Sequence, residues 1–245
     1  MTHSKVWTEE EKNMRIGFFV AVPLLAQALV AGEPELRCEK NWGEVQWKGM
    51  TFHRYHLRAN DFPPNKTYRL VVENFDGVRT EAFDYVANKK GHLILVRPDD
   101  NFRDDIYLIC SAMRGERLTF LMESKDDSYV AELIPFPLEA RSKKGAKLSL
   151  ELRGEKGNKF LFIAENLKPY EDVELFLEVK KQRAFVKTNG TSEWGELSAI
   201  IELLDDPHGE EAKLILKREK EEAALGFVWG PPALRIVGAC CFEMK

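Results

Sequence analysis

One segment is written twice, and each copy is built around a proline turn. Ala59-Asn60-Asp61-Phe62-Pro63-Pro64-Asn65-Lys66-Thr67-Tyr68-Arg69-Leu70 is matched 105 positions later by Ala164-Glu165-Asn166-Leu167-Lys168-Pro169-Tyr170-Glu171-Asp172-Val173-Glu174-Leu175. The alanine, the apolar residue before the turn, the proline and the closing leucine fall at the same places. An extended run enters, an apolar-x-Pro turn follows and an alternating run leaves, which is a strand, a turn and a strand. A chain that repeats such a unit folds as two copies of one β-domain, and 245 residues leave about 100 for each, enough to bury a core.

Short alternating runs surround both turns. In the first copy they are Gly43 to Trp47, Thr51 to Ala59, Thr67 to Glu73, Ala82 to Ala87, His92 to Val96, Ile106 to Ala112, Leu118 to Glu123 and Ser128 to Ile134. A slide of roughly 105 residues lays a second set over them. That set is Lys147 to Leu152, Lys159 to Ala164, Val173 to Val179, Leu197 to Leu203, Ala212 to Arg218, Ala224 to Trp229 and Ala233 to Ala239. Gly195 matches Gly91. No run past residue 31 holds a capped 3.6-residue period, so no long helix is expected there. The short charged segment Glu139 to Gly145 reads as the linker between domains at 39–138 and 143–243. The fold class is all-β.

About seven strands per hundred residues, with turns at regular spacing, is the pattern of an immunoglobulin-like sandwich. Phe62-Pro63-Pro64-Asn65-Lys66-Thr67-Tyr68-Arg69-Leu70 resembles the apolar-x-Pro-x-x-x-Tyr-x-Leu segment of fibronectin-type-III-like domains. In those domains it lies late, whereas here it comes early, which points to tandem bacterial immunoglobulin-like relatives. The Cys–Trp–Cys signature of antibody domains is absent. The resemblance implies two tandem β-sandwiches and no particular activity.

The N-terminus carries the long apolar run, Ile16 to Ala31, short for a bilayer span of about 20 residues. Ala26-Gln27-Ala28 near its end has the A-x-A form, so residues 1–31 read as a signal peptide or an N-terminal apolar helix. Glu9, Glu10 and Glu11 cancel Lys5, Lys12 and Arg15 in the flank, and Met14-Arg15 makes the better start. The expected location is therefore exported, periplasmic or secreted, with membrane contact only through an uncleaved N-terminal segment. Cys38 follows Glu35-Leu36-Arg37, which is no lipid-attachment box.

Composition narrows the chemistry. The net charge of −4 is mixed along the chain with no basic arm, so no nucleic-acid partner is expected. The 4 cysteines include no C-x-x-C pair and are too scattered for a zinc site. On an alternating last strand one of Cys240 and Cys241 faces in, and the outward one is a disulfide candidate, with Cys38 or with another chain. Cys110 reads as a reduced core residue. The loop Asp99, Asp100, Asn101, Asp104 and Asp105 offers the oxygen ligands that calcium prefers, although Arg103 competes for them. Asp205 to Glu211 is its rough counterpart. His53 and His56, three apart on a strand, do not converge on a metal. No serine occupies a nucleophile elbow, and no glycine-rich loop opens a helix. Trp42, Trp47, Trp194, Trp229 and Tyr170 mix core and turn positions. Trp47 and Trp229 read as core, while Trp194, inside Thr191-Ser192-Glu193-Trp194-Gly195, is the candidate ligand-binding residue.

The function that fits is an exported, non-enzymatic two-domain protein that binds another protein or a cell-surface ligand, with no cofactor. Two alternatives stay open. One is a secreted or periplasmic hydrolase with its site at the domain junction. The other is a pilus-type periplasmic chaperone, whose paired cationic anchors and donor-strand pattern are not recognisable here.

Overall fold

A computed structural model describes residues 16–17, 34–47, 50–96, 108–203, 211–219 and 221–244. These residues form strands, turns and a single-turn 3₁₀ segment at Pro231–Leu234. The first strands in chain order are β1 (Ile16–Gly17), β2 (Glu35–Trp47), β3 (Met50–Asn60), β4 (Thr67–Glu73), β5 (Arg79–Ala87) and β6 (Leu93–Leu95). Then come β7 (Leu108–Met113), β8 (Leu118–Glu123), β9 (Ser128–Leu133), β10 (Leu138–Arg141), β11 (Lys147–Leu152) and β12 (Lys159–Glu165). The last are β13 (Asp172–Val179), β14 (Gln182–Gly190), β15 (Leu197–Leu203), β16 (Glu211–Arg218), β17 (Glu221–Val228) and β18 (Ile236–Met244). The expected all-β class holds.

The chain divides into two compact units, one ending at Pro137 but also containing the strand from Ile236, the other combining Ile16–Gly17 with Leu138–Arg235. Each is a sandwich of two sheets. The first unit has the orders β2-β3-β18-β7 and β6-β5-β4-β8-β9; the second has β1-β15-β12-β11-β10 and β14-β13-β16-β17. Alternation drives the packing. In β12, β13 and β15 every second side chain is buried, so one face of each strand joins the core. The first unit's core draws on both its sheets, with Tyr55, Leu57 and Phe242 from one and Tyr68, Leu70, Phe120 and Met122 from the other. In the second unit Phe160 of β12 meets Phe227 of β17 edge-on at 5.1 Å.

The repeated turn has one architecture in both units. Asp61 and Asn166 both adopt left-handed φ (59° and 61°), as do Asn65 and Tyr170 (62° and 55°). The Phe62 amide donates to the Gly91 carbonyl (3.1 Å), and the Leu167 amide donates to the Gly195 carbonyl (3.0 Å). Both glycines have positive φ, and a Cβ on Gly195 would stand 2.1 Å from the Leu167 carbonyl oxygen. On Gly91 the nearest atoms would be the Phe62 amide nitrogen and carbonyl oxygen at 3.0 Å. Glycine is thus required for close approach and for conformation together.

Three expectations are corrected. Of the segment at 233–239, expected to close the second domain, the part from Ile236 is the start of β18, and it lies in the first unit. It runs parallel to β3 and antiparallel to β7. In the second unit the equivalent strands β12 and β15 pair directly, antiparallel. β18 is therefore spliced between two strands that already have the mutual direction of β12 and β15. Second, the sheet orders make β16 the equivalent of β8, and β17 of β9, rather than of β7 and β8. The repeat offset falls from 105 (Leu70 to Leu175) to 94 (Met122 to Leu216), because the first unit has β6 and a further segment before β7. Third, the supposed linker is ordered: Leu138 to Arg141 pairs with Lys147 to Leu150 as β10 on β11. Of the apolar N-terminal run, Ile16–Gly17 pairs with Leu203 and Glu202, and the rest lies outside the described residues.

Two outcomes follow from these contacts. Gly195→Ala is expected to cost roughly 2–4 kcal/mol in urea unfolding, and Gly91→Ala less, since its clash is milder. Ending the chain at Arg235 removes Phe242, which stacks on Tyr55 (5.3 Å) and touches Phe120 (4.5 Å). Hydrogen exchange of that truncated chain should show lost protection in β3 and β7 and retained protection in β12 and β15.

Candidate functional site

The turns at one end of the second unit carry two large aromatic side chains into solvent. Tyr170 is 74% exposed and Trp194 is 76% exposed. Tyr170 follows the repeated proline in the turn between β12 and β13. Trp194 lies in the turn between β14 and β15. The two turns are bonded to each other: the Tyr170 amide donates to the Ser192 carbonyl (3.3 Å) and the Thr191 amide to the Glu171 carbonyl (3.0 Å).

A buried hydroxyl holds them together. Thr191 donates its hydroxyl to the Lys168 carbonyl (2.6 Å) and accepts the Glu171 amide (2.8 Å). The Glu171 carboxylate accepts the Lys168 amide (3.1 Å) and faces Arg218 at 3.4 Å, with both side chains only 10% exposed. Arg218 also pairs with Glu221 at 3.0 Å. Largely buried, multiply bonded groups of this kind fix backbone geometry more than they add net stability. Beside the turns a shallow groove is lined by Asp172, Glu174, Lys217 and Glu219. The hydrogen-bonded Lys168 ammonium holds the Glu219 carboxyl below its ordinary range. An aromatic centre with a charged, hydrated rim is the general form of a protein-binding surface.

The first unit supplies an internal control. Asn88-Lys89-Lys90-Gly91 makes the same turn as Ser192-Glu193-Trp194-Gly195. Asn88 Oδ1 accepts the amides of Lys90 (2.8 Å) and His92 (3.1 Å). Ser192 Oγ accepts those of Trp194 (3.2 Å) and Glu196 (3.1 Å). Trp194 therefore stands where the first unit has Lys90, and Tyr170 stands where it has Asn65. Neither aromatic is demanded by the fold. Tyr170 works against it, because asparagine tolerates left-handed φ and tyrosine does so poorly.

Trp194 was legible in the sequence as a candidate. Tyr170 was not singled out, although its signal lay in the alignment of a tyrosine on an asparagine at a turn. Trp229 is buried, as expected of a core residue. Asp99, Asp100, Asn101, Asp104 and Asp105 lie outside the described residues, as do 205–210. Among the described residues no group of three His, Cys, Asp or Glu side chains is placed to hold a metal. His53 is buried with its ring edge-on to Phe136 at 4.7 Å. This structure carries all four cysteines in the reduced form. Cys38 of β2 lies opposite Leu57, two strands away from Cys240 and Cys241 of β18, so the expected bridge from Cys38 to this pair is not brought together.

No protein-family model matches the chain, and no curated protein matches it with significance. One solved structure to which it is similar is a tetra-tandem repeat in the extending region of a large adhesion protein, at 9% identity and a TM-score of 0.25. The match covers 83% of this chain and 51% of that one, so the chain spans about half its length. A likeness this remote carries no weight for fold or function.

If the aromatics serve something other than the fold, giving them the first unit's residues should not harm stability. Tyr170→Asn is expected to raise unfolding free energy by about 0.5–1 kcal/mol, and Trp194→Lys to change it by less than about 0.5 kcal/mol, in urea melts.

Proposed function

We propose that this chain is an exported, non-catalytic interaction protein of the tandem immunoglobulin-like class, and that Tyr170 and Trp194 form its contact with another protein or a cell-surface ligand. The observation that carries the reading is the divergence between the two copies. At equivalent, solvent-facing turn positions one unit has asparagine and lysine, and the other has two exposed aromatics on a braced frame. Exposed aromatics cost solubility and, at Tyr170, backbone strain. Binding repays such costs, since tyrosine and tryptophan anchor protein contacts with little side-chain entropy to lose. Export rests on the apolar run Ile16 to Ala31 and the A-x-A form at Ala26 to Ala28.

A photo-crosslinking residue placed at position 170 or 194 tests the contact in the intact cell envelope, with position 90 as the control turn. Adducts are expected at 170 and 194 and not at 90, with the adduct at 194 lost on adding Tyr170→Asn. Equal labelling at all three positions sinks the proposal. N-terminal sequencing of the exported protein, expected to start just past Ala28, tests the compartment separately.

A further inference from the structure

The strand that closes the first unit has a cysteine directly across from another cysteine. Cys240 of β18 is the register partner of Cys110 of β7 in an antiparallel ladder. Opposed residues in such a ladder have Cα atoms about 4.5–5.5 Å apart, inside the 4.4–6.8 Å that a disulfide requires. Both side chains face inward. Cys240 is fully buried and belongs to the core, and Cys110 packs against that core. The other two thiols are placed differently. Cys241 faces away, opposite the exposed Ile109. Cys38 packs against the same core as Cys110 but lies on β2, beyond β3, with Leu57 as its register partner.

We infer that Cys110 and Cys240 form an intrachain disulfide that fastens the C-terminal strand into the first unit. Two thiols become one S–S bond, and the two electrons and two protons pass to a low-molecular-weight disulfide such as glutathione disulfide. The thiolate of one cysteine attacks that disulfide and releases one glutathione thiol. The second cysteine then attacks the protein–glutathione mixed disulfide and releases the other.

The same burial that places the pair sets when it reacts. Desolvation pushes both thiols up to about 12, with Glu116 adding to the effect at Cys110 and Cys110 itself adding to it at Cys240. The thiolate is the attacking form, so the docked pair exchanges slowly. The bond therefore forms as β18 arrives, before the core closes, and is afterwards screened from reductants. It links β7 to the last strand across the whole of β8 to β17, so the strands from β10 to β17 of the second unit sit inside the covalent loop. No other pair of the four thiols is opposed in register.

The test uses the purified full-length chain and does not depend on export or on the aromatic turns. The protein is unfolded in urea and refolded with glutathione disulfide, and in parallel the disulfide is added to folded protein. Refolding is expected to consume two of the 4 thiols and to give a monomer whose non-reducing peptide map joins Cys110 to Cys240. Oxidation of the folded chain should be at least about 100-fold slower. The double variant Cys38→Ser/Cys241→Ser, which leaves both core positions untouched, should oxidise as the wild type does. A bridge to Cys38 or Cys241, a link between chains, or four free thiols after refolding overturns the inference.

Discussion

The first unit depends on a parallel pairing between β3 and β18. Parallel neighbours cannot be joined by a tight turn and need a long connection. Here the connection contains every strand of the second unit from β10 to β17. The gap that β18 fills lies between β3 and β7, and the core on its inner side takes Cys240 and Phe242 from that strand. The first unit in sequence is thus completed by the last of the described strands. Its contacts have a large sequence separation, which slows folding because loop closure is paid before the strand is rewarded. The second unit pairs β12 directly with β15, whose residues are near in sequence.

Under this difference lies a shared constraint, the contact between the apolar residue of the repeated turn and a left-handed glycine. Phe62 with Gly91, and Leu167 with Gly195, tie the turn to the strand pair that follows it. With this frame fixed by backbone bonds, the side chains at its outer positions are free to diverge. Asn65 and Lys90 suit water. Tyr170 and Trp194 do not, and the buried Thr191, Glu171 and Arg218 hold the backbone that presents them. The duplication lets one copy serve as the reference state for the other, which separates what the fold needs from what it merely permits.

Much of this was legible along the chain. Alternation located most strands within a few residues, because a strand with one face in the core must alternate. The 105-residue offset found the duplication, since identical turns need the same proline, apolar and glycine positions. The offset then misled: a constant slide assumes equal lengths, and the first unit carries β6 and an extra segment. The linker was misplaced because an exposed edge strand such as β10 is as charged as a loop. Of the candidate site, Trp194 stood out as a tryptophan in a turn. Tyr170 needed the knowledge that its backbone has the same left-handed conformation as Asn65.

Local sequence determined the strands, the turns and the fact of two copies, because these follow from alternation, proline and glycine within a few residues of each other. Tertiary structure alone decided which unit owns the last strand. β18 is small and apolar enough to pair with any open ladder, and nothing within Ile236 to Met244 specifies a partner some 180 positions back in the chain. The choice was made by the gap between β3 and β7 and by the space beside Tyr55 and Phe120 that Phe242 fills. The same choice brought Cys240 across from Cys110, a pairing that spacing along the chain does not encode.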